Sequence, residues 1–257
     1  MPDMQIQQGD CLDLDLGRSN ALVYCDPPFC SQRDWGEFPD TWTDLPGYLD
    51  YLIPRLERGW DSLRPGGVMA VHLGTYAAAH VRVHLEDYVG NTWESEIVWC
   101  YNSGGAGQRK LANKHDVINV WRKDGEPRTF NIIREPYATM NVKDRKGFHP
   151  DGRMQTDVWQ VGFLPTNSRE RTGYPTQKPE ALLERLLLTY TNPGDRVCDP
   201  FAGSGTLGAV AYRIGRHSLS CDTSDEAYRV MVGRIGAERV FPQEAPCGMR
   251  AWPKRGG

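Results

Sequence analysis

The clearest ordering of hydrophobic and polar positions lies towards the C-terminal end. Arg196–Cys198 reads as a short buried strand opened by the turn Asn192-Pro193-Gly194-Asp195, and it runs into Asp199-Pro200-Phe201-Ala202-Gly203-Ser204-Gly205-Thr206. From Thr206 the segment LGAVAYRIG has helical apolar spacing and stops at Gly215. A second strand over His217–Cys221 is closed by Asp222, and a helix over Asp225–Ile235 follows. Strand, glycine-rich turn, helix, strand and acid make a βαβ unit. In the N-terminal third, the apolar run Ala21–Cys25 predicts another strand, which halts at Asp26-Pro27-Pro28-Phe29. Glu94–Tyr101 and Asp116–Trp121 read as further sheet strands, and Trp99, Trp121 and Trp159 as packing residues. Arg55, Arg58 and Arg64 are placed on one helix. Asn141–Arg171 has little apolar periodicity and predicts long loops.

Composition narrows the class. The 257 residues are 39% hydrophobic and 25% charged, ordinary globular values that suit one domain with an insertion. The sequence predicts neither a leader nor a membrane span, so a cytoplasmic protein is expected. Seven scattered cysteines without a CxxC pair predict a reducing compartment and no metal site.

Charge distribution changes the picture more than total charge does. The net charge of −3 alone argues against a polyanionic partner. Residues 101–178, however, hold 14 Lys and Arg against 8 Asp and Glu, a net of +6, which leaves −9 for the remainder. A basic surface on an acidic scaffold fits nucleic acid; a merely solvated face fits the same count.

The two strand-to-loop junctions carry candidate chemistry. Glycines after the first strand let backbone approach a ligand at a helix N-terminus, and an acid closing the second strand can accept both ribose hydroxyls. A nucleoside-containing cofactor fits, although the spacing is not that of the pyrophosphate fingerprint and a lone G-x-G is often only a turn. At the other junction, two prolines stiffen the loop and remove two amide donors. Asp26 and the Pro27 carbonyl can then act as fixed acceptors beside the Phe29 ring, a set that suits a planar ring bearing an amino group. Asp-Pro-Pro is equally ordinary turn chemistry.

Together these segments resemble a family, the β-group of S-adenosylmethionine-dependent DNA amino-methyltransferases. The resemblance rests on DPPF at 26–29, TQKPEALLERLL at 176–187, VCDPFAGSGT at 197–206 and GRHSLSCD at 215–222, and on their order, with the catalytic loop before the cofactor loop and an insertion between them. QGDCL at 8–12 and LRPGGVMAVHL at 63–73 resemble minor motifs of the family. The departure is Phe29, where tyrosine is more usual; stacking needs only the π-face.

The resemblance implies an α/β doubly wound, mostly parallel sheet of Rossmann-like methyltransferase type in circularly permuted order, with Asp26 and Asp199 at neighbouring strand ends beside the topological switch point. It implies a catalytic loop of Asp26, Pro27, Pro28 and Phe29. S-adenosylmethionine would be held by Asp10, Cys11, Lys178, Asp199, Phe201, Gly203, Ser204, Gly205, Thr206 and Asp222, the two glycines leaving room for it. The approximate insertion 101–175 would recognise double-stranded DNA through Arg109, Lys110, Lys143, Arg145, Lys146, Arg153, Arg169 and Arg171, its loops ordering on binding. Asp at the first position of the catalytic loop is the commoner choice for adenine N6, with cytosine N4 as the alternative. An RNA or protein-glutamine methyltransferase would carry Asn in place of Asp26 and its cofactor loop first; a catalytically dead relative is disfavoured because both loops are intact. A homodimer and a restriction endonuclease partner are within the family's range. His72 is left open between core and cleft.

Overall fold

The computed structural model describes residues 1–34, 39–101, 109, 111–137 and 148–240. In chain order the elements are β1 Met4–Gln8, β2 Asn20–Cys25, β3 Arg33–Asp34, β4 Pro39–Asp40, α1 Leu45–Asp61, β5 Leu63–Leu73, α2 Thr75–Val89, β6 Trp93–Cys100, β7 His115–Arg122, β8 Arg134–Glu135, β9 Arg153–Met154, β10 Val158–Gln160, α3 Glu180–Tyr190, β11 Arg196–Asp199, α4 Thr206–Arg213, β12 His217–Asp222 and α5 Asp225–Val240.

Eight strands form one sheet in the order β1-β12-β11-β2-β5-β7-β6-β10. The first five are mutually parallel, β7 runs antiparallel to β5 and β6, and β10 is parallel to β6. From β11 the chain passes through α4 to β12 on one side, whereas from β2 it passes through α1 to β5 on the other. The topological switch therefore lies between β11 and β2, where ligands bind in open α/β sheets.

Alternate side chains of each buried strand serve opposite faces. Val23 and Cys25 of β2, with Met69 and Val71 of β5, pack beneath Leu52 and Leu56 of α1 and Val81 and Leu85 of α2. Leu22 and Tyr24, with Val68 and Ala70, join Leu182 and Leu186 of α3 and Val210 of α4. Burial on both faces is why these strands read as unbroken apolar runs. Trp99, Trp121 and Trp159 are buried, as the sequence predicts.

Several boundaries differ from expectation. Strand β2 starts at Asn20, whose buried amide donates to the carbonyls of Leu16 and Ser62, and α5 runs to Val240 rather than Ile235. Arg64 lies on β5, not on the helix that carries Arg55 and Arg58. As the reading of Asp116–Trp121 as a sheet strand expects, the basic stretch 101–175 contains β7, an interior strand between β5 and β6; it also contributes β10 at the sheet edge. Of its basic candidates among the described residues, Arg109, Arg169 and Arg171 lie outside helices and strands, and Arg153 lies on β9.

Candidate active site

Register brings the two loops together. Cys198 of β11 pairs with Val23 of β2, so the carboxyl ends carrying Asp199 and Asp26 open side by side. They share a cavity of about 340 Å³, lined among others by Asp26, Pro27, Pro28, Phe29, Lys178, Asp199, Phe201, Gly203, Ser204, Thr206 and Asp222. Asp10 and Cys11 line a smaller void of about 20 Å³ that shares Tyr51, Phe201, Asp222 and Thr223 with the main cavity. Of the expected catalytic and cofactor residues, only Gly205 lines neither space.

The DPPF loop is pinned from behind. The Tyr48 hydroxyl donates to the Pro28 carbonyl at 2.7 Å. Cys30 and Gln32 have φ of 56° and 59°, left-handed conformations unusual for residues with a Cβ. Asp40 holds that turn by accepting the amides of Cys30 (2.7 Å) and Ser31 (2.9 Å) and the Ser31 hydroxyl. Gly74 leaves space for Phe29, since a Cβ there would lie 3.3 Å from its ring. Asp26 Oδ2 receives Lys178 Nζ at 2.6 Å, and that ammonium lies 4.9 Å from the Phe29 ring centre. Lys178, expected on the cofactor, is therefore in contact with the acid of the DPPF loop.

The glycine turn is built by φ of +49° at Gly203 and +70° at Gly205, with the Gly205 amide donating to the Ala202 carbonyl at 2.7 Å. A Cβ at Gly205 would lie 2.8 Å from Met231 Cγ of α5, and one at Gly203 3.0 Å from the Tyr174 ring. The smallness of Gly205 thus serves turn geometry and helix packing. Ser204 and Thr206 line the cavity with their hydroxyls 3.0 Å apart, and Arg234 of α5 donates to Thr206 Oγ1 at 2.9 Å. The same guanidinium pairs with Glu180 of α3 at 2.6 Å, which also takes Arg213 of α4 at 2.7 Å. These groups clamp three helices beneath the turn.

The acids differ in environment. Asp222 Oδ2 accepts the Gly203 amide at 2.8 Å and Oδ1 the Ser224 amide at 3.0 Å, and the carboxylate lines the cavity. Burial raises the Asp222 pKa despite these amides. Burial pushes Asp199 well above the ordinary carboxylate range; Asp26 and Asp222 add to the rise, while the Phe201 amide and Lys178 oppose it. At Asp10 burial also pushes upward, but the Leu12 amide and Arg55 prevail and hold the carboxyl below its usual value. Arg55 ion-pairs with Asp10 and stacks its guanidinium 3.8 Å from the Tyr51 ring centre. Burial, reinforced by Asp10, pushes the Cys11 thiol up to about 12, so it stays protonated.

Sequence reasoning left His72 open between core and cleft and missed Tyr51, Arg55, Asp116 and Tyr101. Only the i, i+4 spacing of Tyr51 and Arg55 on α1 signals one of these contacts. His72 is fully buried, yet stands directly behind Asp26, 3.8 Å from Oδ1. Among the DNA candidates, Arg109, Arg169 and Arg171 are exposed, and Arg171 lines the cavity. Arg153 pairs with Glu135 at 3.2 Å. Lys110, Lys143, Arg145 and Lys146 lie outside the described residues. Among the described residues, no group of His, Cys, Asp and Glu is arranged to hold a metal ion, and no helix is long and apolar enough to cross a membrane.

Comparison with known proteins follows this geometry. Residues 21–233 match the N6/N4 methyltransferase family described as DNA methylase. The chain is 31% identical over 220 residues to the type II methyltransferase M.HpaI of Haemophilus parainfluenzae, covering 84% of this chain and 68% of that one. It is 28% identical over 234 residues to the DNA adenine methyltransferase YhdJ of Escherichia coli (strain K12), covering 87% and 78%. Its fold is similar to that of the PvuII DNA methyltransferase (cytosine-N4-specific), with a TM-score of 0.69, 22% identity and coverage of 91% and 86%. The chain belongs to the N6/N4 DNA methylase family.

Proposed function

We propose that this enzyme transfers the methyl group of S-adenosylmethionine to the exocyclic amine of a base flipped out of duplex DNA, with adenine N6 the favoured target. One observation carries the reading: Asp26, Phe29 and the Gly203 turn open into a single cavity of about 340 Å³. Acceptors for an amine and a nucleoside-binding turn thus face one another.

The residues present fit the cofactor. Asp222 ends the βαβ unit at the cavity wall, with its carboxylate open to a ligand. Asp10 and Tyr51 line the adjoining void, and a sulfonium cation suits a cavity walled by Asp26 and Asp222. When bound, S-adenosylmethionine supplies a methyl group already activated on positively charged sulfur.

The protein's task is to ready the amine. Its nitrogen lone pair is delocalised into the base ring, so it is a weak nucleophile. Asp26 and the Pro27 carbonyl accept its protons out of the ring plane and favour tetrahedral nitrogen as charge develops. Phe29 supplies the stacking face, and the rigid prolines fix the acceptors before the base arrives. Flipping the base costs a few kcal/mol, which the basic loops between 101 and 175 offset by neutralising phosphates.

Asp26 favours adenine as the target, in line with the similarity to YhdJ. Cytosine N4 is the second reading, because the acceptor pair serves either amine and the PvuII enzyme shares the fold. The Asp and the loop order speak against RNA or protein glutamine. A cytoplasmic setting, a homodimer and a restriction endonuclease partner complete the reading; sedimentation tests the dimer.

The deciding experiment incubates the protein with duplex DNA and labelled S-adenosylmethionine, then separates the nucleosides by mass spectrometry. Label on N6-methyladenine supports the reading. Label on N4-methylcytosine moves the target, and no label above an Asp26→Ala control refutes the activity.

A further inference from the structure

Behind the wall that carries Asp26, buried polar side chains form a line that methyl transfer as described leaves unused. Nδ1 of His72, on β5, lies 2.7 Å from the Tyr24 hydroxyl and 3.8 Å from Asp26 Oδ1. Its Nε2 lies 3.7 Å from Asp116 Oδ2, and Asp116 Oδ1 accepts the Tyr101 hydroxyl at 3.1 Å. Tyr24, Tyr101 and Asp116 all reach the cavity wall. Two atoms along this line, Asp26 Oδ1 and His72 Nε2, are buried without a hydrogen-bond partner. Such atoms carry the desolvation penalty of an unmade hydrogen bond, and a native fold retains them where they have a use.

Resting on Asp26 as the acceptor of the target amine, we propose that His72 is a positioning residue that takes, through Asp26, the proton released by methylation. As the nitrogen–carbon bond forms from the nitrogen lone pair, the sulfur–carbon bond breaks and its electron pair stays on sulfur. The positive charge of the sulfonium passes to the nitrogen, which sheds one proton to the Asp26 carboxylate. Asp26 delivers that proton to His72 Nδ1 and returns to its anionic form, leaving an imidazolium between two carboxylates. No further reactant is needed, and charge balances at every step.

The surroundings suit this transfer. Burial holds the Tyr24 phenol well above its ordinary pKa, so its hydroxyl keeps its proton and can donate to Nδ1 of His72. The imidazole N–H then sits on Nε2, towards Asp116. When Nδ1 gains a proton, the Tyr24 hydroxyl turns from donor to acceptor by rotation about one bond. The groups facing His72 are Tyr24 of β2, Asp26 beyond it, Asp116 of β7, and the rings of Phe29 and Trp99 at 5.5 Å and 5.4 Å. Lys178 occupies the far oxygen of Asp26, so the near oxygen is the one left for His72. The gaps to the carboxylates exceed hydrogen-bond length; side-chain shifts of about 1 Å close them.

His72→Asn in the full chain tests this, because Asn can keep a contact with Tyr24 but cannot carry the proton. Single-turnover transfer to duplex DNA is followed across a pH series, alongside calorimetric S-adenosylmethionine affinity and thermal melting. The expected result is a loss of about 10²-fold in rate at neutral pH, the usual share of a proton acceptor, with an altered pH profile and cofactor affinity unchanged. A folded variant with wild-type rate and profile overturns the inference. Should His72→Asn fail to fold, Asp116→Asn decides in its place: a slowed, pH-shifted reaction supports the relay and wild-type behaviour overturns it. An active Asp26→Ala variant would remove the underlying reading, whereas an inactive one beside wild-type His72→Asn removes the relay alone.

Discussion

Lys178 Nζ stands 2.6 Å from Asp26 Oδ2, joining positions 152 residues apart at the wall of one cavity. Both side chains are largely buried, at 12% and 14% exposure, so the pair is shielded from the screening that weakens surface ion pairs. The lysine leads into α3 and the acid follows β2, so the contact ties α3 to the switch-point strand.

That contact separates two roles for Lys178. Lys178→Met should lower the single-turnover rate of methyl transfer by more than it weakens S-adenosylmethionine binding, because it frees Asp26 to move. Asp26→Ala should reduce transfer by about 10²-fold or more while cofactor affinity stays within a few-fold, since the lost contact is to the amine. Calorimetry and rapid-quench assays on both variants check this. A Lys178→Met protein that turns over normally once saturated with cofactor would return the lysine to the cofactor's side.

The glycine turn supports a prediction of a different kind. Gly205→Val places a branched side chain at φ +70° against Met231, so it should destabilise the fold by about 2 kcal/mol or more through strain and overpacking. Thermal melting in the absence of cofactor reads this directly. Asp222→Ala should weaken cofactor affinity by about 1.5–3 kcal/mol and also loosen the turn, because its oxygens hold the Gly203 and Ser224 amides. A Gly205→Val protein that melts like the wild type would mean that Met231 and the turn yield freely.

What the sequence made legible was local. The unit from Arg196 to Asp222 is written in adjacent residues: a turn, an apolar strand, two glycines, a helical period and a closing acid. Residue-by-residue periodicity also placed β2 and the tryptophans. The side-chain partners were not legible, because they depend on strand order. His72 meets Asp116 only because β7 pairs with β5, and no spacing along the chain encodes that pairing. Lys178 reads as a cofactor ligand by motif, yet the seating of the segment before α3 at the end of β2 sets its neighbour. Ser204 and Thr206 sit in a nucleoside-binding motif, but Arg234 arrives from a helix whose packing is decided thirty residues later.

Asp199 gives a pH-dependent prediction. Its folded pKa is raised above the ordinary 3.8, so the native state holds a proton that the unfolded chain has released. A raised carboxyl contributes stability that is present below the unfolded pKa and is lost as pH rises through the folded one. Asp199→Asn removes that dependence while its side-chain oxygen can still accept the Phe201 amide. The melting temperature of the variant relative to wild type should therefore increase as pH climbs from about 4 towards neutrality. A constant difference across a pH series would show that Asp199 titrates in the fold as it does in the open chain.

The last prediction concerns the basic loops. Binding to duplex DNA should weaken as salt rises, with a log–log slope of about −0.9 per neutralised phosphate. Arg109, Arg169 and Arg171 are exposed in the stretch read as DNA-binding. Changing all three to Ala should make the slope shallower by up to about 2.7 if each touches a phosphate. Cofactor affinity should hardly change, because Arg171 is the only one of the three that lines the cavity and it lies outside the βαβ unit. A suitable control removes three exposed or half-exposed arginines elsewhere. Arg55 cannot serve, since it ion-pairs with Asp10 beside the cofactor turn. Arg18, Arg82 and Arg229 can: Arg18 and Arg229 are exposed, and Arg82 pairs locally with Glu86 on α2. The control triple should lower affinity slightly through total charge but leave the slope near its original value. Equal changes in slope from the two triples would mean that these loops hold no privileged phosphate contacts, and the DNA-binding role of the 101–175 stretch would have to be withdrawn.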